Sequence, residues 1–389
     1  MPLLYSMYRR LDDIFSNTLS EPELDENARL VLKKVFSMMR SPNVNRPPWS
    51  VRCVTRNKNE ITIPRETSIP TDPRSQIRSS RGTFLVYSLL MFEKTQVDIF
   101  LLRFNESQHY VERVVRYLTF ILPLVYASGK MIPKLSIYLL MTDCKKIMPP
   151  DIQSLGTNDI NSAFTLTGGT DDPVVVIFRE EEWLKVFIHE TFHALCLDFS
   201  NLESGMLARI EAKTGIESLP DGRRTYETYC ETFAVIVHSL FMSDTFSAAL
   251  DRLRHEQLFS ALQCAKLMPF VDGRNAHTTA VGAYHVLKFA LLNRMGDFIR
   301  LQSKKCESVG VCERFFSIRP DEVEMFDKLI VDSWYNTSTQ DLIKKAEQFL
   351  SNASPADKLV KTLRMSCGGV PPPHPLPGAS PGPRLPPLN

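Results

Sequence analysis

The sequence predicts an α+β protein, and three observations carry that class. Strand-length runs of β-branched and aromatic residues cluster between Thr83 and Phe178. One long stretch with helical recurrence of apolar residues, Ser107 to Ala127, interrupts them, and nearly everything after Trp183 repeats its apolar residues at helical spacing. With 389 residues and 43% hydrophobic content the chain can bury a sizeable core as one large or two ordinary domains. Lys plus Arg is 46 against 44 for Asp plus Glu, a net charge of +2, so nothing asks for a nucleic-acid or acidic-membrane partner.

Taken in order, Leu3 to Phe15 reads as a helix. Ser20, with Glu23 three residues later and Pro22 in the first turn, opens a second one, whose Leu30, Val31, Val35, Phe36 and Met39 form a core-facing stripe. From Ser41 to Arg81 the chain is rich in Pro, Asn, Arg, Ser and Thr without a sustained period, which reads as a long connector or an extended strand-like wrap. Thr83 to Phe92 and Gln96 to Phe104 are strands joined by Glu93-Lys94-Thr95, a hairpin spacing. After the helix at Ser107 to Ala127 come the strand Lys134 to Met141, a short extended piece Asn161 to Leu166 ending at Gly168-Gly169, and the buried strand Val174 to Phe178. Beyond Phe241, Ser243 to Lys266, Asn275 to Asn293, Pro320 to Trp334 and Thr337 to Leu350 are helices, with Asn336, Thr337 and Ser338 supplying capping chemistry. The predicted organisation is therefore N-terminal helices and a connector over 1–81, a main domain over 82–351 (an α/β part 82–198 and a helical part 199–351), and a C-terminal segment over 352–389. That segment ends in a proline-rich tail, with Pro372-x-x-Pro375, which cannot pack a core.

The chemistry concentrates in Glu180 to Asp198, EEEWLKVFIHETFHALCLD. Acidic residues precede a helix with apolar positions on more than one side, as a buried helix requires. His189 and His193 are one turn apart, so both imidazoles leave one face and can bind a zinc ion at about 2.0–2.1 Å. Glu190 lies about 100° further round, placed to take a proton from water without being a ligand. The rival reading is two core histidines bonded to carbonyls; a correctly spaced pair carrying its glutamate, on a helix directly after a strand, favours the metal.

A third ligand is available in Tyr226 to Phe241, YETYCETFAVIVHSLF, which reads as a second helix after the turn Leu219-Pro220-Asp221-Gly222. Glu227 and Glu231 share one face and repel each other unless a cation compensates them. A ligand plus an outer carboxylate on a zinc histidine fits that need, whereas the bland reading is a solvated acidic face beside Arg223 and Arg224. Glu227 is favoured as ligand and Glu231 as outer acceptor, and the reverse stays open. Cys196 and Cys230 each lie three residues from a proposed ligand, where sulfur can compete for zinc, although the nitrogen and oxygen set is already complete.

The pattern His189-Glu190-Thr191-Phe192-His193 followed by Glu227-x-x-x-Glu231 resembles the zincin metallopeptidases, and within them the gluzincins. The metzincin pattern is absent, since Ala-Leu-Cys-Leu-Asp follows His193 without the required Gly and third His. The tract is more loosely similar to uncharacterised metallopeptidase-like proteins of large DNA viruses. The gluzincin resemblance implies a mixed sheet packed on the active-site helix, a helical C-terminal subdomain, and an edge strand, Ser162-Ala163-Phe164-Thr165, that holds an extended peptide by main-chain hydrogen bonds. It also implies a downstream His or Tyr that stabilises an oxyanion, for which His277, Tyr284 and His285 are candidates.

The function expected is thus a Zn²⁺-dependent peptidase acting on a peptide or protein substrate. The alternative from another class is an inactive zincin-like scaffold or adaptor that uses its proline-rich tail to contact an SH3- or WW-type domain. A metal-dependent hydrolase acting on another bond is a third reading. Eight scattered cysteines without a CxxC pair suit reduced thiols. With neither a signal peptide nor a membrane span legible, a cytoplasmic or nuclear protein is expected, and the viral likeness adds association with a virion.

Overall fold

The β-branched and aromatic runs pair into one six-stranded mixed sheet in the order β1-β2-β3-β4-β6-β5. The strands are β1 (Val51–Asn57), β2 (Thr83–Met91), β3 (Thr95–Leu102), β4 (Lys134–Thr142), β5 (Ala163–Leu166) and β6 (Val174–Arg179). This is the arrangement of a computed structural model that describes residues 2–15, 22–41, 51–102, 109–149, 155–167, 172–271, 280–304 and 314–367. Ser20, Gly168-Gly169, His277, Cys306, Cys312 and the proline-rich tail lie outside the described residues. β1, β2 and β3 form an antiparallel meander, β3, β4 and β6 run parallel, and β5 closes the order antiparallel to β6 at the edge. The parallel step from β3 to β4 needs a crossover, and the helix His109–Ala127 lies between them in the chain.

Strand periodicity divides the two faces. Leu85, Tyr87, Leu89, Val97, Ile99, Leu135, Ile137, Leu139, Val175 and Ile177 turn into the main core, where helices cover them. Phe84, Leu102, Tyr138, Leu140, Val176 and Phe178 point the other way and pack under Ile69 and Ile77. Ile77 belongs to a short helix, Thr71–Ser79, that covers this second face. Each such side chain contributes about 1.5–3 kcal/mol by leaving water.

Two stretches of the chain pack more closely than their composition suggests. Ser41 to Arg81, read as a connector or an extended strand-like wrap, supplies the strand β1, as the second reading allowed, and also the helix Thr71–Ser79, which neither reading foresaw. As an edge strand with Arg52, Arg56 and Asn57 partly in water, β1 lacks the apolar signal of a buried strand. Leu11, Val31, Val35 and Met39 of the first two helices, and Leu359, Leu363, Met365 and Cys367 near the C-terminus, belong to the same core cluster as the sheet, so packing runs across positions 81/82 and 351/352.

The C-terminal half is helical, as its periodicity indicates: Phe246–Val271, Met295–Ser303, Pro320–Trp334 and Thr337–Asn352. A further helix, Ser204–Thr214, ends on Gly215 at φ +74°, a left-handed cap that glycine takes without strain. Residues Ala283–Leu287 form a π-helical turn before the α-helix Lys288–Asn293. The described cysteines are all free, and among the described residues no helix is long and apolar enough to cross a membrane.

Candidate metal centre

The helix Trp183–Ala194, here the histidine helix, starts four residues after β6. Its cap, Glu182, sits at φ +62°, and its buried carboxylate accepts from Lys146 Nζ at 3.2 Å and from the Ser366 N–H at 2.5 Å. A strained cap survives only where its surroundings over-determine it, and these two donors do so. Nearly every residue of the helix is buried, because the sheet covers one side and a second helix, Thr225–Phe241, here the glutamate helix, covers another. This crossing brings Glu227 and Glu231 to the two histidines.

The donors form a small triangle. His189 Nε2 lies 3.2 Å from His193 Nε2 and 3.1 Å from Glu227 Oε2, and His193 Nε2 lies 3.3 Å from the same oxygen. Each imidazole has its other nitrogen engaged: His189 Nδ1 meets Glu231 Oε2 at 3.0 Å, and His193 Nδ1 meets Asp198 Oδ2. A carboxylate can only accept, so each Nδ1 carries the proton and each Nε2 presents a lone pair in the neutral ring. In the neutral rings three acceptors then converge with no proton to share, and a positive charge, either a proton on one Nε2 or a metal ion, relieves them. Four ligands at about 2.0–2.1 Å in a tetrahedron stand about 3.3–3.4 Å apart, close to the observed edges, so the donor set and spacing fit zinc. Among the described residues no fourth His, Cys, Asp or Glu joins this triangle.

The electrostatics agree. Burial opposes charge on both imidazoles, but Glu227 and Glu231 outweigh it at His189, and Cys230, Asp198 and Glu227 outweigh it at His193, so both titrate above the ordinary histidine range. Burial also disfavours the Glu227 carboxylate, yet the two imidazoles hold it far below the usual range. The site attracts positive charge strongly enough to overcome its own desolvation.

Behind the triangle, Glu231 is fully buried. Its carboxylate accepts from Lys185 Nζ at 2.7 and 2.9 Å, has Lys288 Nζ at 3.5 Å, and takes the His189 Nδ1–H. Burial pushes this carboxyl up, and Lys185, Lys288 and His189 together bring it well below the usual range. The two glutamates differ in geometry: Glu227 faces the Nε2 atoms of both histidines, while Glu231 faces Nδ1 of His189.

Glu190 is buried beside the sheet edge. Thr165 Oγ1 on β5 donates to Glu190 Oε2 at 2.6 Å and lies 3.1 Å from its carbonyl oxygen. The Ser162 carbonyl accepts from the Phe178 N–H at 2.9 Å, so the antiparallel alternation turns Ser162 and Phe164 toward β6 and leaves the backbone groups of Ala163 and Thr165 on the open edge. Tyr284 reaches the site from the π-helical turn, its ring 5.7 Å from that of His189 at 76°. Burial, then the charges of Glu227 and Glu190, push its hydroxyl well above the ordinary range. His285 does not reach it: the ring is fully buried, neither nitrogen has a hydrogen-bond partner among the described residues, and Lys288 and Lys146 are its main charged neighbours.

Sequence reasoning missed Asp198, Lys185 and Lys288. Asp198 holds His193, receives Ser200 Oγ at 2.9 Å, and lies 3.5 Å from Cys230 Sγ, making His193, Asp198 and Cys230 a second close group of ligand-type atoms. Lys185 was findable, because it precedes His189 by one helical turn and an ammonium on a buried helix face needs a carboxylate. No local pattern announces Lys288. Exposed Cys196 is not part of either group. Comparison with protein-family models, with curated proteins and with solved structures finds no match to this chain.

Proposed function

We propose that this chain is a zinc-dependent peptidase of the gluzincin kind, with His189, His193 and Glu227 as metal ligands and Glu190 as general base. The observation that carries the reading is the triangle of three lone-pair donors with edges of 3.1, 3.2 and 3.3 Å, each histidine being oriented by a carboxylate on its far nitrogen. Three ligands rather than four is the pattern of a catalytic zinc, which keeps a position for water or substrate. Zinc held there supplies Lewis acidity, lowering the pKa of a coordinated water toward about 7 and polarising a carbonyl.

The chain's own residues supply the rest. The free edge of β5 offers the N–H and C=O groups of Ala163 and Thr165 to an extended peptide, which adds to the sheet as a further strand. Thr165 orients the Glu190 carboxylate at this edge, so the base lies where the scissile bond would rest. Glu190 takes a proton from the attacking water and delivers it to the leaving amine. Tyr284, close to both Glu190 and Glu227, is the group available to donate a hydrogen bond to the developing oxyanion.

Zinc content and hydrolysis of a mixed peptide library, measured on wild type, Glu190→Gln and His193→Ala, test this. Wild type should carry zinc and cleave, Glu190→Gln should keep zinc and lose about 10²–10⁴-fold in rate, and His193→Ala should lose the metal. A zinc-loaded wild type that cleaves nothing would favour the scaffold reading, and full activity in Glu190→Gln would exclude the mechanism.

A further inference from the structure

The segment running from Asp357 to Cys367 threads between the loop after β4, the start of the histidine helix and the helices of the C-terminal half. On the sheet side, Leu363 N–H donates to the Lys146 carbonyl at 3.0 Å, Met148 N–H to the Lys361 carbonyl at 2.7 Å, and Ile147 bridges to Thr362. At the start of the histidine helix, the Ser366 N–H binds the Glu182 carboxylate at 2.5 Å. On the helical side, Ser366 Oγ and the Cys367 N–H bind Glu256 at 2.6 and 3.0 Å. Two buried lysines hold the segment's carbonyls: Lys266 takes Leu359, at 3.2 Å, and Thr362, and Lys288 takes Met365.

Of those two lysines only Lys288 has a second role. Its ammonium lies 3.5 Å from Glu231 Oε1, and all three side chains of the Lys185, Glu231 and Lys288 group are fully enclosed. Lys185 bonds to both carboxylate oxygens, and His189 takes Oε2, so Lys288 is the contact that pulls Oε1 alone. Lys288 also begins the helix that follows the turn carrying Tyr284. A buried carboxylate that loses one of its charged partners is left under-compensated, which disturbs its bonds to the partners that remain, here including the bond to His189 Nδ1–H.

We propose that Lys288 is a positioning residue of the metal centre, and that the segment Asp357–Cys367 acts on the metal through it: Met365 carbonyl to Lys288, Lys288 to Glu231, Glu231 to His189. The inference rests on the zinc reading above, and Lys266 provides the control. Lys266 is buried and holds the same segment, yet among the described residues it has no hydrogen bond or ion pair with Glu231.

The test uses the full chain and does not depend on turnover. Zinc dissociation constants are measured by competition with a chromogenic chelator for wild type, Lys288→Met, Lys288→Arg and Lys266→Met, alongside the visible absorption of the cobalt-substituted proteins and the Tm of the metal-free forms. Lys288→Met should weaken zinc binding about 10–100-fold and alter the cobalt spectrum, Lys288→Arg should restore most of the affinity, and Lys266→Met should lower Tm while leaving zinc affinity within about threefold. If Lys288→Met does not fold, Lys288→Gln takes its place, with the same loss expected. Wild-type affinity in both neutral variants, or equal weakening in Lys266→Met, overturns the proposal while the zinc site stands. A wild-type protein that binds no zinc removes both.

Discussion

Glu227 and Glu231 lie four residues apart on the same face of one helix and have opposite surroundings. The Glu227 side chain is 15% exposed and directs its oxygen to two histidine lone pairs, whereas that of Glu231 is 0% exposed and is surrounded by two ammoniums and an imidazole N–H. Both carboxyls are held well below the ordinary range, one by histidines and one chiefly by lysines. The difference teaches that one helical turn suffices to turn a carboxylate from a partner of two imidazoles into an internal counter-ion for lysines, because the partners come from other segments. It also separates two kinds of loss: removing the first glutamate should cost metal, and removing the second should cost the fold as well.

The largest effect should come from Glu231→Ala. It leaves Lys185 and Lys288 buried without their carboxylate, a change that costs about 3–5 kcal/mol, and the Tm of the metal-free protein should fall steeply. An unchanged Tm would mean that the lysines find other partners. Glu227→Ala comes next. If a structural zinc site is worth about 10–16 kcal/mol over four ligands, one ligand accounts for about 2.5–4 kcal/mol, so zinc affinity should drop about 60- to 700-fold with a far smaller change in metal-free stability. A stability loss as large as that of Glu231→Ala would erase the contrast.

Asp327 sharpens the comparison from the helix start, where it accepts a hydrogen bond from Thr225, the first residue of the glutamate helix. Burial, opposed by that bond, raises its carboxyl from 3.8 to about 7. A raised carboxyl means that the folded state binds more protons than the unfolded one between about pH 4 and 7, so this group weakens the fold as pH rises through that window. Asp327→Asn should therefore stabilise the protein at pH 8, by about 2–4 kcal/mol, with the gain disappearing near pH 4. Thermal unfolding from pH 4 to 8 checks this, and a gain independent of pH would contradict it. The smallest effect belongs to Asp198→Ala, which frees His193 Nδ1 and should weaken zinc about 10–100-fold in a chelator titration; Asp198→Asn, still able to accept through its amide oxygen, should lose less.

Much of this protein was legible along the chain. The helix boundaries at Pro320–Trp334 agree to the residue with the periodic reading, because a proline in the first turn and a clean 3.6-residue stripe act locally. The short run around Ala163 was legible as a strand. Its pairing beside β6 at the sheet edge is a tertiary fact, since the alternation of a four-residue strand says nothing about neighbours. β1 was legible only as one of two readings, an extended wrap beside a connector, because an edge strand with charged residues in water lacks the apolar signal by which strands are recognised. His285 shows the converse: one residue from Tyr284, it was an equal candidate until the π-helical turn sent the two rings to different surroundings.

Local chemistry by itself determined the α+β class, the buried helix with His189, Glu190 and His193 on adjoining faces, and the pair of glutamates one turn apart, since helical spacing fixes which side chains share a side. Only tertiary packing decided that Glu227 points at the lone pairs and Glu231 at the N–H, that Asp198 and Thr165 hold His193 and Glu190, and that a lysine and a C-terminal segment about 57 and 134 residues beyond Glu231 stand behind the site. The physical reason is that a buried charge is tolerated only beside its partner, and that partner can come from anywhere in the chain.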